Sequence, residues 1–105
     1  MPELTNNPNL KDFQDYVSTL EVERGFERET VIEKCLLLGE EIGELFKSVR
    51  KANNMKIDNQ SIVGDVSEEL ADVLIYLCAI ANRFNIDLET AFREKENVNK
   101  QRIWE

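Results

Sequence analysis

The sequence predicts an all-α fold, and three observations carry that reading. Apolar residues recur at helical spacing through most of the 105 residues, and only two prolines and four glycines interrupt them. Capping patterns stand at the heads of the periodic stretches. One small domain over residues 1–105 is expected, arranged as a four-helix bundle.

The first helix is expected over residues 9–24, with Leu10, Phe13, Val17 and Leu20 on its inner stripe, ended by Gly25 and the loop GFERE. The second starts at Thr30-Val-Ile-Glu33, where threonine and glutamate satisfy each other's orphan backbone N–H groups, and runs to Asn53. At roughly 100° per residue, Ile32, Cys35, Leu38, Ile42, Leu45, Phe46 and Val49 make a broad core face. Leu36 and Leu37 fall outside it, on the side carrying Glu40 and Glu44. A helix apolar beyond one face has more than one neighbour, and in so short a chain a second copy is an attractive source. Gly39 and Gly43, one turn apart, add a flat strip for a close backbone; the other reading is two tolerated glycines, each costing about 1 kcal/mol against alanine.

After the connector NNMKIDNQS, a second capping box, Asp65-Val-Ser-Glu68, opens a third helix that lasts to Phe84. Its stretch VLIYLCAIA (residues 73–81) carries no charge, so this helix is expected to be the most buried of the four. Asp87 caps a fourth helix running to Ile103.

Composition excludes several function classes. A formal net charge of −8 with no basic stripe argues against a general binder of nucleic-acid polymers or acidic membranes, but leaves a nucleotide substrate open. No apolar run approaches the roughly 18 residues a membrane span needs, and the start MPELTNNPNLKD has no signal-peptide character. Cys35 and Cys78 lie singly in apolar helical stretches of a chain without histidine, which reads as buried, reduced thiols in a cytoplasmic protein. The missing histidine also removes a Ser/His/Asp triad and a Glu-x-x-His di-iron site.

Two acidic doublets remain. Glu41 with Glu44, preceded by Glu40, and Glu69 with Asp72 are each spaced i, i+3, so each doublet projects from one helix face. Like charges so placed repel by a few tenths of a kcal/mol when exposed and by more when desolvated. Magnesium is the natural compensation, because hard cations take carboxylate oxygens and usually hold a substrate phosphate as well. Glu69, Asp72, Tyr76 and Ile80 form one stripe, whereas Glu68 belongs to the capping box and faces solvent. Lys95, Asn99 and Arg102 share a face of the fourth helix; cations there could bind phosphate, but spacing alone favours a solvated face that pairs with the abundant surface acids.

The pattern Glu40-Glu41-x-x-Glu44 followed by Glu69-x-x-Asp72 resembles the EExxE…ExxD signature of the MazG-like, all-α nucleoside triphosphate pyrophosphohydrolases. ELADVLIYLCAIANRFNIDLETAF is similar to that family's third helix, turn and start of the fourth, and ERGF (residues 23–26) to the segment before its second helix. The ending Lys95-x-x-x-Asn99-x-x-Arg102-x-Trp104 resembles the family's closing motif. The likeness spans residues 13–104.

The resemblance implies magnesium-dependent cleavage of a (deoxy)nucleoside triphosphate between its α and β phosphates, with Mn2+ a possible substitute ion and nucleotide-pool house-cleaning the implied role. Carried over by motif, Glu41, Glu44, Glu69 and Asp72 are the metal ligands, and Glu40 orients or deprotonates the attacking water. Tyr76 then lies near the base or sugar, and Lys95, Asn99 and Arg102 hold the phosphates. A homodimer or homotetramer completing the bundle is implied too. A catalytically silent nucleotide- or metal-binding module is the competing reading. The chain departs from the dCTP-cleaving relatives in two respects: Arg28-Glu29-Thr30 contains no histidine, and Trp104 is the sole tryptophan. Their base preference is therefore not carried over.

Overall fold

Four α-helices and a short 3-10 turn make up the described residues, 2–103, of the computed structural model. They are α1 (Leu10–Glu23), the 3-10 turn (Phe26–Arg28), α2 (Val31–Ala52), α3 (Val66–Arg83) and α4 (Leu88–Asn99), with no strand among the described residues. Side-chain oxygens set three of the helix starts. Asn9 and Asp12 form a two-sided box at 2.9 Å each way, Thr30 accepts from the Glu33 N–H at 3.1 Å, and Asp87 accepts from the Thr90 N–H at 3.0 Å. Gly25, at φ 73°, follows the end of α1 in the left-handed conformation that glycine adopts without penalty.

The chain forms two compact units, residues 1–27 with 78–105, and residues 28–77. In the first, α1 packs on α4. Val17, Leu20, Cys78, Ala79 and Ala81 are its buried apolar residues. Buried Gln14 is fixed by the turn between α3 and α4: it donates to Asn82 Oδ1 (3.1 Å) and the Ile86 carbonyl (2.8 Å) and accepts from the Leu88 N–H (2.9 Å). A buried amide so engaged avoids the penalty of an unmade bond. Arg83 reaches Glu21 at 3.4 Å and the Phe26 carbonyl at 3.2 Å.

In the second unit, α2 is turned differently from the expected core face. Its enclosed edge carries Lys34, Glu41 and Ser48, one every seven residues, with Leu37, Leu38 and Leu45 beside them. Ile32 (73% exposed), Leu36 (71%) and Phe46 (62%) lie on the opposite side, together with Gly39 and Gly43. Cys35 and Val49 are exposed as well, so of the expected core face only Leu38, Ile42 and Leu45 are even partly enclosed. The helix has turned its polar stripe inward. A periodicity count ranks faces by hydrophobicity alone and cannot anticipate that choice.

Two further expectations need correction. The burial of α3 is uneven: Glu69 in its first turn and Cys78, Ala79 and Ala81 toward its end are buried, whereas Leu70, Ile75 and Leu77 are exposed. And α4 stops at Asn99 rather than Ile103; Arg102 sits in the turn beyond it, its N–H on the Asn99 carbonyl at 3.0 Å.

Candidate metal centre

Because α2 turns its polar edge inward, Glu41 meets the first turns of α3. Carboxylate oxygens of Glu41, Glu69 and Asp72 all lie within 4.8 Å of one another. Side chains on a helix lean toward its N-terminus, and Glu69 accordingly reaches back to Gly64 in the connector. A Cβ at residue 64 would stand 2.5 Å from Glu69 Oε1, so the absence of a side chain there leaves room for the carboxylate. Glu69 is buried, Glu41 half-buried and Asp72 exposed. The group is therefore open on one side.

Electrostatics marks the cluster as under-compensated. Burial pushes the Glu41 carboxyl above its ordinary value, and the charges of Asp72, Glu69, Glu44 and Glu40 push the same way. Three hard oxygen donors converging with no cation among them suit a hard divalent ion, whose opposite ligands stand about 4.2 Å apart at a bond length near 2.1 Å. The residues present therefore fit such an ion in both donor type and spacing.

The other expected residues fall in different surroundings. Glu44 lies 3.8 Å from Lys47 and outside the three-carboxylate group, and Glu40 is exposed on the helix flank. Tyr76, one turn beyond Asp72, is half-buried; burial pushes its phenol up, Lys34 acts against that, and Glu41, Glu29 and Asp72 add to it. Lys95, Asn99 and Arg102 belong to the other unit. Lys95 and Arg102 are exposed there. Asn99 donates to Glu96 at 3.4 Å, while its Oδ1 is buried with no hydrogen-bond partner among the described residues. Trp104 lies outside the described residues.

Sequence reasoning missed two residues of this neighbourhood. Lys34 is buried, its Nζ 2.8 Å from Glu29 Oε1 and 5.6 Å from the Tyr76 ring centre. Its signal was its position seven residues before Glu41, on the same stripe. Gly64 left no signal, since nothing in a periodicity count shows a carboxylate folding back on a connector.

Comparison with known proteins adds independent findings. The family model for the MazG nucleotide pyrophosphohydrolase domain matches residues 28–102. The proteins named dCTP pyrophosphatase 1 from Rattus norvegicus and Mus musculus are each 33% identical over a 100-residue alignment that covers 90% of this chain. The chain spans 59% of the length of these curated relatives. Among solved structures, iMazG from Vibrio DAT 722 in its C-tagged form is similar with a TM-score of 0.63 and 32% identity, covering 88% of this chain and 98% of that one. The N-tagged form gives the same TM-score at 33% identity, covering 94% of its chain.

Proposed function

The chain belongs to the MazG nucleotide pyrophosphohydrolase domain family, and from that premise we propose that it hydrolyses a (deoxy)nucleoside triphosphate to the monophosphate and pyrophosphate, dependent on Mg2+. One observation carries the reading: residues chosen by the acidic motif converge, from two successive helices, on one three-carboxylate group. The dCTP pyrophosphatase relatives support a nucleotide substrate.

Glu41, Glu69 and Asp72 hold the ion, with Glu44 a fourth ligand available from the same helix. When bound, the ion supplies charge neutralisation for the phosphates and Lewis-acid polarisation of the phosphoryl group, with Mn2+ a workable replacement. Glu40, at the exposed edge beside the cluster, orients or deprotonates the attacking water. Tyr76 lines the base or sugar, and Lys95, Asn99 and Arg102 hold phosphates, the last three on the motif alone. Residues 1–105 act as one catalytic domain.

The protein works as a homodimer or homotetramer, which the exposed strip on α2 supports. Its two free cysteines suit the cytoplasm, and its net charge of −8 suits small-molecule rather than polymer substrates. No described helix is long and apolar enough to cross a membrane. Removal of noncanonical or surplus nucleotides is the role we assign.

The deciding experiment is pyrophosphate release from canonical and modified nucleoside triphosphates, with Mg2+ and with chelator. Metal-dependent release that Asp72→Asn abolishes in a folded protein is expected. Tight nucleotide binding without turnover would instead identify a silent binding module.

A further inference from the structure

Lysine is almost never fully buried unless paired, yet Lys34 is only 2% exposed within α2. Its ammonium is 2.8 Å from Glu29 Oε1, in the segment leading into α2, and 5.6 Å from the Tyr76 ring centre on α3. An apolar side chain of similar size would fill the same space without the cost of desolvating a charge, so packing alone does not account for a lysine here.

What the lysine adds is direction. Lys34 and Glu41 lie on one stripe of α2, seven residues apart; Tyr76 and Asp72 lie on one stripe of α3, four residues apart. The same two helices are thus joined by two rungs, Glu41 with Glu69 and Asp72, and Lys34 with Tyr76. Descending α2 from 41 to 34 corresponds to ascending α3 from 72 to 76, so the helices run antiparallel across the rungs. The second rung stands about one to two turns from the first. A cation near an aromatic ring is attracted by the ring's quadrupole, and Glu29 anchors the cation in turn.

We propose that Lys34 is a positioning residue for the pyrophosphohydrolase reaction: anchored by Glu29, it fixes the Tyr76 ring beside the carboxylate cluster and so sets how tightly the nucleoside is held. This rests on the functional reading above, in which Tyr76 lines the base or sugar. Burial is the main influence on the Tyr76 phenol, and the charges of Lys34, Glu41, Glu29 and Asp72 also reach it, in keeping with one shared neighbourhood. Lys34 touches neither the reacting phosphate nor the ion in this scheme, and its effect falls on substrate affinity.

The test is kinetic, with a structural readout beside it. Lys34→Met is expected to raise KM for the preferred nucleotide about tenfold with kcat changed less than about twofold, and Lys34→Arg, which keeps the positive charge, to restore most of the loss. In a Tyr76→Leu background, Lys34→Met is expected to add nothing, because the ring it fixes is gone. The Tyr76 ring resonances, assigned by their loss in Tyr76→Leu, shift in Lys34→Met and return in Lys34→Arg. If Lys34→Met does not fold, Glu29→Gln replaces it, with a rise in KM in the same direction expected. Wild-type KM in the folded variant, or independent multiplication of the two effects, overturns the proposal. A wild-type protein that releases no pyrophosphate overturns the functional reading instead. The ring resonances then still decide the positioning: unchanged signals in Lys34→Met refute it.

Discussion

At Gly64 the missing side chain leaves the space into which the Glu69 carboxylate folds, since a Cβ there would stand 2.5 Å from Oε1. Gly25, not Gly64, is the glycine held at positive φ, so alanine at 64 meets no backbone objection and acts only by pushing the carboxylate aside. Gly64→Ala is therefore expected to fold with a nearly unchanged melting temperature and to weaken Mn2+ binding about tenfold, the size typical of disturbing a group that orients a ligand. Isothermal titration with Mn2+ measures this, and wild-type affinity would remove Gly64 from the site. Glu41 gives a pH dependence. Its carboxyl is raised above the ordinary 4.5 in the folded, metal-free chain, so the folded state binds that proton more tightly than the unfolded one. The resulting stability is fully present below 4.5 and is lost as pH rises through the raised value. Glu41→Gln removes the repulsion. Chelator-treated Glu41→Gln is accordingly expected to be more stable than wild type at neutral pH by a few tenths of a kcal/mol, with the advantage shrinking toward acid, while losing pyrophosphate release. Denaturation in urea at several pH values checks the sign.

Helix α2 shows how far a periodic pattern can be read. Its limits were legible within a residue or two because Thr30 and the NNMKIDNQS connector are local chemical signals, and Thr30 does bond the Glu33 N–H. Thr30→Ala should cost about 1 kcal/mol in urea denaturation with Mn2+ affinity unchanged, the mark of a cap remote from the carboxylate cluster. Its orientation was not legible. Counting apolar residues chose a face through Ile32, Cys35 and Phe46, and the structure leaves all three exposed. The enclosed edge instead carries Lys34, Glu41 and Ser48; Lys34 meets Glu29 and Tyr76, and Glu41 meets Glu69 and Asp72, neighbours that only the fold assembles. The acidic spacing on α2 and α3 was readable, since i, i+3 puts each doublet on one face whatever lies opposite. Membership of a single three-carboxylate group was not, and Glu44, equal to Glu41 in the motif, lies near Lys47 instead. The end of α4 was misjudged because no proline or glycine marks it; the chain turns at Lys100 with no breaker in the sequence.

At the scale of the whole molecule, the exposed strip on α2 is the property a lone chain explains least well. Ile32, Leu36, Gly39, Gly43 and Phe46 lie within roughly 40° of one line along the helix, and a Cβ at either glycine would meet nothing within 4 Å. The glycines therefore accommodate no neighbour among the described residues, yet each lowers helix stability by about 1 kcal/mol relative to alanine. Covering a leucine or phenylalanine side chain is worth about 1.5–3 kcal/mol, so a second copy laid along this strip gains several such contributions while the glycines admit its backbone. Sedimentation is expected to give a multiple of 12.2 kDa for the wild type and 12.2 kDa for a Leu36→Glu, Phe46→Glu double variant. The cysteines supply a second readout on the same samples. Cys35 is exposed in the single chain, on the flank of the strip, whereas Cys78 is fully buried and its thiol is pushed up by burial. Cys35 should react slowly with a disulfide reagent in the wild type and rapidly in the double variant, while Cys78 reacts in neither until the protein unfolds. A wild-type protein that sediments at 12.2 kDa with a fast Cys35 would assign the strip to solvent and the glycines to tolerated substitution.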